Sequence, residues 1–273
     1  LLLCFHEEFE SPSDASRFLR SLNVARRAKK NRAELKRLLL TYGWSRDVQD
    51  MSHFSPGRLE LIFWGYESLV FENAFSFLIS HGGHTLCFGE NPRLTSSGGR
   101  LLTNRPKKGA RRFKIEISSY ILARSFSAEM PGPFRVNGLP ADSRLAAAIM
   151  IVEHEMVHLA EYLLYGDSNC NLHRFRHFAY AWFGHTDVSH GLATAGQELS
   201  MKGLTVGSWV EFEYKGDTLR GVINRVTKRA TVLIPCAAHD GQKYNDGRYY
   251  RKMYVPLRYL RPVEGPSGKD GLE

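Results

Sequence analysis

Two histidines and a glutamate carry the clearest chemistry in this chain, in the run His154-Glu155-Met156-Val157-His158. On a helix the i, i+4 spacing puts both imidazoles on one face, where they can share a zinc ion, and places Glu155 on the adjoining flank. Zinc lowers the pKa of a bound water to about 7, and a neighbouring carboxylate can accept its proton as the water attacks a peptide carbonyl. The pattern fixes only three positions, so its setting decides its meaning. Ala146, Ala147, Ile149, Met150, Val157, Leu159 and Leu163 surround it with apolar packing in a strongly helical segment, as the chemistry requires.

A catalytic zinc takes three protein ligands and keeps one position open. Downstream the chain offers His173, His177, His185 and His190. His173 follows a short loop, residues 166–171, that lets a second helix fold back on the first; His177 lies one helical turn further on. Capping, helix packing or hydrogen bonding to a ligand would equally account for His177, His185 and His190.

These residues need a scaffold. Asp142 or Ser143 is suited to cap a helix that runs to residue 165, and Gly166 to end it. A second helix is expected over 172–183. Upstream, a helix is expected over 14–40, with Phe18, Leu19, Leu22, Leu35, Leu38 and Leu39 at helical spacings and a basic face from Arg26 to Arg37. Another is expected over 59–80, before the turn His81-Gly82-Gly83. Strands are expected at 85–88, 93–103 and 113–118, the last with Phe113, Ile115 and Ile117 alternating with Lys114 and Glu116. A basic loop, 105–112, joins the last two. After about Gly196 short strand-like segments at 206–214, 219–226, 230–235 and 249–255 are parted by glycines, the rhythm of a small SH3-like barrel.

The expected fold class is α+β: helices packed on a small antiparallel sheet beside the zinc-bearing helix, plus the C-terminal all-β barrel. The expected division is an N-terminal helical region at 1–58, a catalytic domain at 59–195, the β module at 202–263 and a disordered tail at 264–273. The strand at 113–118 is expected at the sheet edge near the metal, where an extended substrate could pair with it through its backbone.

A length of 273 residues suits two folded units, and 43% hydrophobic residues suffice for their cores. The net charge of +9 points to a polyanionic partner such as nucleic acid. Cys4, Cys87, Cys170 and Cys236 form no C-x-x-C pair, which argues against a zinc ribbon and a disulfide framework. None sits in a motif of the kind a nucleophile needs. A reducing compartment is expected: the cytoplasm, with the nucleoid or nucleus if the protein works on DNA. The opening residues 1–5 are too short an apolar run for a signal peptide, and nothing approaches the roughly 18 apolar residues of a membrane span, so no membrane partner is expected. The first residue is not methionine, and the natural start is expected upstream.

Taken in order, a helical pair, Asn91-Pro92-Arg93-Leu94-Thr95-Ser96-Ser97-Gly98-Gly99, the strand at 113–118, the histidine-glutamate run and then His173 resemble the SprT-like metallopeptidase family. That family includes the Spartan proteases, which degrade proteins crosslinked to DNA. The likeness covers residues 59–190, about half the chain. It implies a zincin-like core, zinc held by His154, His158 and His173, Glu155 as general base, and protein or peptide substrates, DNA-associated ones among them. Arg174 stands where the family usually has a glycine, and the β module stands where several members carry a zinc ribbon or DNA-binding motifs.

In that module Trp209, Phe212, Tyr214, Tyr249, Tyr250 and Tyr254 interleave with Arg220, Arg225, Lys228, Arg229, Arg251 and Lys252. Aromatics can stack bases while cations hold phosphates, which makes Arg225, Lys228 and Arg229 candidate nucleic-acid contacts. Equally, the aromatics can fill a small barrel while the cations face water. Three classes of function follow. The first is an active metallopeptidase. The second is a nucleic-acid- or chromatin-binding adaptor with a structural zinc, against which Glu155 argues because such a site needs no base. The third is an interaction protein whose module binds a peptide or another protein.

Overall fold

A computed structural model describes residues 9–43, 54–104, 109–127 and 132–265. The opening apolar run, part of the basic loop and most of the expected tail lie outside the described residues. The chain divides into two compact units, Leu1–Leu192 and Ala193–Glu273. The helices expected as a separate N-terminal region belong to the first unit.

The first unit begins with α1 (Pro12–Ser21) and α2 (Ala28–Thr41), not one helix over 14–40. The break has a distant cause. The Val24 amide donates to the Ala181 carbonyl (2.8 Å) instead of to a carbonyl of its own helix, and a short 3-10 turn at Ala25–Arg27 follows. The helix expected over 59–80 is likewise two, α3 (Pro56–Tyr66) and α4 (Ala74–His81), joined by a π turn at Glu67–Phe71. The buried Glu67 carboxyl accepts from the Phe75 and Ser76 amides (3.3 and 2.8 Å) and the Ser76 hydroxyl (2.5 Å), so it satisfies the first turn of α4 from inside the protein. Burial pushes this carboxyl up to about 7.

Three strands follow: β1 (Thr85–Glu90), β2 (Gly99–Thr103) and β3 (Arg112–Ile117). Their order is β1-β3-β2, with β1 parallel and β2 antiparallel to β3. The expectation of an antiparallel sheet with 113–118 at its edge is therefore corrected: the sheet is mixed and β3 is central. Phe113, Ile115, Glu116 and Ile117 are all buried, and a strand buried on both faces belongs in the middle of a sheet. The edges are β1 and, on the side that meets Ile151 and Glu155 of α6, β2. Strand β2 is also shorter than expected, because Asn91 turns the chain before it by accepting the Arg93 amide on its side chain.

Glu116 ties that edge to the centre. Burial works against its charge, but bonds from Lys114, Asn91 and Arg100 on β2 prevail and hold its carboxyl down at about 2, against an ordinary 4.5. A depressed acid contributes stability that is present above its unfolded pKa and lost as pH falls through the folded one. Wild-type protein should thus lose roughly 1–3 kcal/mol between about pH 4.5 and 2 that Glu116→Gln does not lose. Urea unfolding across that range reads the difference; parallel curves would exclude Glu116 as the group.

After α5 (Ser119–Arg124), a small hairpin of β4 (Phe134–Val136) and β5 (Leu139–Ala141) turns at Asn137-Gly138, both at positive φ. The long helix α6 (Arg144–Tyr165) is capped by Ser143, whose side chain accepts the Ala146 amide, and stopped by Gly166 in the left-handed region. Its half from Leu145 to Val152 is buried all round, which makes it the axis of the unit. Helix α7 (His173–Phe183) ends at Gly184 and packs on α6 through Phe175, against His154 and His158, and Phe178, stacked on Tyr165. At the centre, Glu153 on α6 receives Arg32 through two 2.8 Å bonds, the Tyr66 hydroxyl, and His185 at 2.7 Å.

The second unit opens with α8 (Ala195–Met201), capped by the reciprocal Thr194–Gln197 pair. Its strands are β6 (Trp209–Tyr214), β7 (Asp217–Val226), β8 (Arg229–Pro235), β9 (Gln242–Lys243), β10 (Tyr249–Pro256) and β11 (Arg261–Pro262). They form one six-stranded antiparallel sheet in the order β11-β6-β7-β8-β10-β9. The all-β character of this region is as expected. Among the described residues, no helix of the chain is long and apolar enough to cross a membrane.

Candidate metal centre

One turn of α6 carries His154 and His158, with ring centroids 5.0 Å apart. Phe175 from α7 lies against both rings, at 4.8 and 4.5 Å. Burial disfavours the imidazolium in each case, pushing His154 well below its ordinary range and His158 down to about 4. Both rings are therefore neutral at neutral pH, as metal donors must be.

A chain of side chains orients His158. Its Nδ1 lies 2.6 Å from the Ser168 hydroxyl, which donates to the buried Glu161 carboxylate (2.5 Å). The hydroxyl has one proton and spends it on Glu161, so it accepts from His158 Nδ1–H and leaves Nε2 with its lone pair free. Arg174 holds the other Glu161 oxygen at 2.7 Å and reaches Asp167 at 2.5 Å. Arg174 is thus the counter-ion of this relay. Ser168→Ala should lower zinc affinity by about 10–100-fold without unfolding the protein. A competition titration against a chelating indicator measures this; unchanged affinity would separate Ser168 from the metal.

Glu155 lies on the neighbouring flank, buried against β2. It accepts the Leu101 amide, its Oε2 has no hydrogen-bond partner among the described residues, and burial pushes its carboxyl up to about 8. The approach of β2 depends on Gly99. A Cβ there would come within 2.5 Å of the Ile151 Cγ2 and 3.1 Å of the Glu155 Oε1. The bonds Ser118 N–H to Gly98 C=O and Asn104 N–H to Arg112 C=O turn residues 98, 100, 102 and 104 toward β3. Gly99 and Leu101 then present their backbone groups to the free side of β2, and that side runs past Glu155.

Among the described residues, His154, His158 and Cys170 form a group whose candidate donor atoms all lie within 4.8 Å of one another. Two imidazoles and a thiol suit zinc by their chemistry, and the buried His154 Nδ1 lacks a protein partner. His173 stands exposed as the first residue of α7, outside this group. His177 is exposed on α7, His185 belongs to the Glu153 network, and the His190 Nε2 accepts the Gly98 amide (2.7 Å). The structure thus gathers His154, Glu155 and His158 as expected, does not bring His173 to them, and adds Cys170. Sequence reasoning passed over Cys170 because it has no C-x-x-C partner; listing every soft donor in the loop after His158 would have found it.

In the second unit Arg225, Lys228 and Arg229 are exposed together at the β7–β8 turn. The aromatics divide between the two roles considered: Phe212 and Tyr250 are buried, whereas Tyr214 and Tyr254 are exposed. Comparison of the chain with protein-family models, curated proteins and solved structures gives no match.

Proposed function

We propose that the first unit is a zinc-dependent endopeptidase with a zincin-like core, in which His154 and His158 hold the metal and Glu155 is the general base. The observation that carries this reading is the placement of a buried carboxyl, one of whose oxygens has no partner among the described residues, beside two neutral imidazoles, on the flank passed by the free side of an edge strand. Zinc, when bound, supplies the Lewis acid that lowers the pKa of its water and polarises the peptide carbonyl. The chain's residues do the rest. Ser168 and Glu161 fix the donor nitrogen of His158, the Glu155 Oε2 accepts the proton once the charge of a bound zinc ion has drawn this raised carboxyl into its ionised form, and the outward groups of β2 align an extended substrate by backbone hydrogen bonds. Pairing of that kind reads little sequence, so flexible or unfolded protein segments are the substrate class. The resemblance offers His173 as the third ligand.

The charge of +9, the basic β7–β8 turn and the resemblance together support proteins on DNA as substrates, with the second unit as an SH3-like module contacting phosphate. The corresponding compartment is the cytoplasm, nucleoid or nucleus. One observation favours the adaptor reading: the thiol beside the histidines, since thiolates are common ligands of structural zinc. Metal analysis paired with cleavage of a DNA-binding protein, with and without DNA, separates the readings. Zinc together with DNA-stimulated cleavage is expected. Zinc without cleavage would select the adaptor, and a protein that takes up no zinc would exclude both.

A further inference from the structure

We propose that Cys170 is a metal ligand, giving the centre a His154–His158–Cys170 donor set; the proposal rests on the zinc reading above but not on peptidase activity. Three observations support it. Donor atoms of the three residues lie within 4.8 Å of one another, a separation that one ion can draw together. The His154 Nδ1 and the Glu155 Oε2 beside them are buried without partners among the described residues, so those residues leave polar groups around the site incompletely satisfied. Finally, the position of Cys170 is held from both sides. Ser168 and the Asn169 amide bond to Glu161 (2.5 and 3.3 Å), and the Asn169 carbonyl accepts the Leu172 amide (3.0 Å).

The same buried carboxylate therefore orients His158 through Ser168 and fixes the loop that presents Cys170. Arg174 locks this arrangement by pairing with Glu161, and it leaves His173, three residues beyond the thiol, facing solvent. On binding, the thiol gives its proton to water and the thiolate sulfur donates to the metal, so uptake releases a proton. Two imidazoles and one thiolate leave the fourth position open, as a catalytic zinc requires.

The test uses the full chain loaded with cobalt in place of zinc. A thiolate-to-cobalt charge-transfer absorption in the near ultraviolet is expected in the wild type and in His173→Ala, and is lost in Cys170→Ser. Cys170→Ser should also weaken zinc binding by at least about 10-fold. A second measurement needs no variant and so does not depend on one folding. Iodoacetamide labelling, read by mass spectrometry, should slow at Cys170 when zinc is added and stay unchanged at the exposed Cys87. Bound cobalt without the absorption, or zinc-independent labelling of Cys170, would overturn the proposal and return the third place to His173, leaving the peptidase reading intact; an absorption that survives Cys170→Ser would overturn it by giving the sulfur ligand to another cysteine. Failure of the wild type to bind either metal would overturn both. The absorption in a protein that cleaves nothing would remove the peptidase reading alone.

Discussion

Glu155→Gln should retain zinc and lose hydrolysis by about 10²–10⁴-fold, the usual contribution of a positioned general base. Glutamine is close to glutamate in shape and can still accept the Leu101 amide, so β2 and α6 keep their approach. What it cannot do is take a proton. Every metal donor on α6 is untouched, which separates this variant from His154→Ala or His158→Ala, where metal itself should be lost. Metal content and turnover of an unfolded protein substrate, measured on the same preparation, decide the matter. Wild-type turnover in a metal-replete variant would remove Glu155 from the chemistry.

Arg32→Ala should cost about 3–5 kcal/mol of stability, the largest structural effect expected of a single change in the first unit. Glu153 is fully buried on α6, beside His154. Burial alone would raise its carboxyl, yet the Arg32 guanidinium and His185 hold it below the ordinary carboxylate range, and it is therefore charged at neutral pH. Removing Arg32 leaves a charge in the core with only Tyr66 and His185 beside it, and it also frees the Phe183 carbonyl that Arg32 binds at 2.9 Å. A sharply lower urea midpoint is expected, with weaker zinc binding because the helix bearing both histidines loses its anchor. Replacing Arg32 and Glu153 together by apolar residues should cost less than Arg32→Ala, since no charge is then stranded. If Arg32→Ala unfolded like the wild type, the two neutral partners would be sufficient.

Several features of the fold and site were legible in the chain because their causes are local. The span of α6 follows from a serine cap, an apolar run and a terminal glycine, all within hydrogen-bond reach of the residues they affect. The shared face of His154 and His158 follows from helical geometry once that helix exists. The strands of the second unit announced themselves by composition and turns. The divisions of the first unit did not, because each depends on a bond that helical periodicity does not register, one of them to a partner far away in sequence. Val24 bonds to Ala181 beyond the end of α1, and the buried Glu67 satisfies the first turn of α4 from within a segment whose apolar spacing alone reads as one continuous helix.

Strand order was hidden for the same reason. Alternation marks residues 113–118 as a strand but is silent on its neighbours, and only the packed sheet makes β3 central and puts β1 and β2 at the edges. At the site, sequence by itself determined the pair of imidazoles and the carboxylate between them, because three or four residues on one helix suffice to relate them. Which downstream side chain joins them was a tertiary decision. There the loop after α6 folds back, the buried Glu161 gathers Ser168, Asn169 and Arg174, and Cys170 lies near the histidines while His173 is exposed.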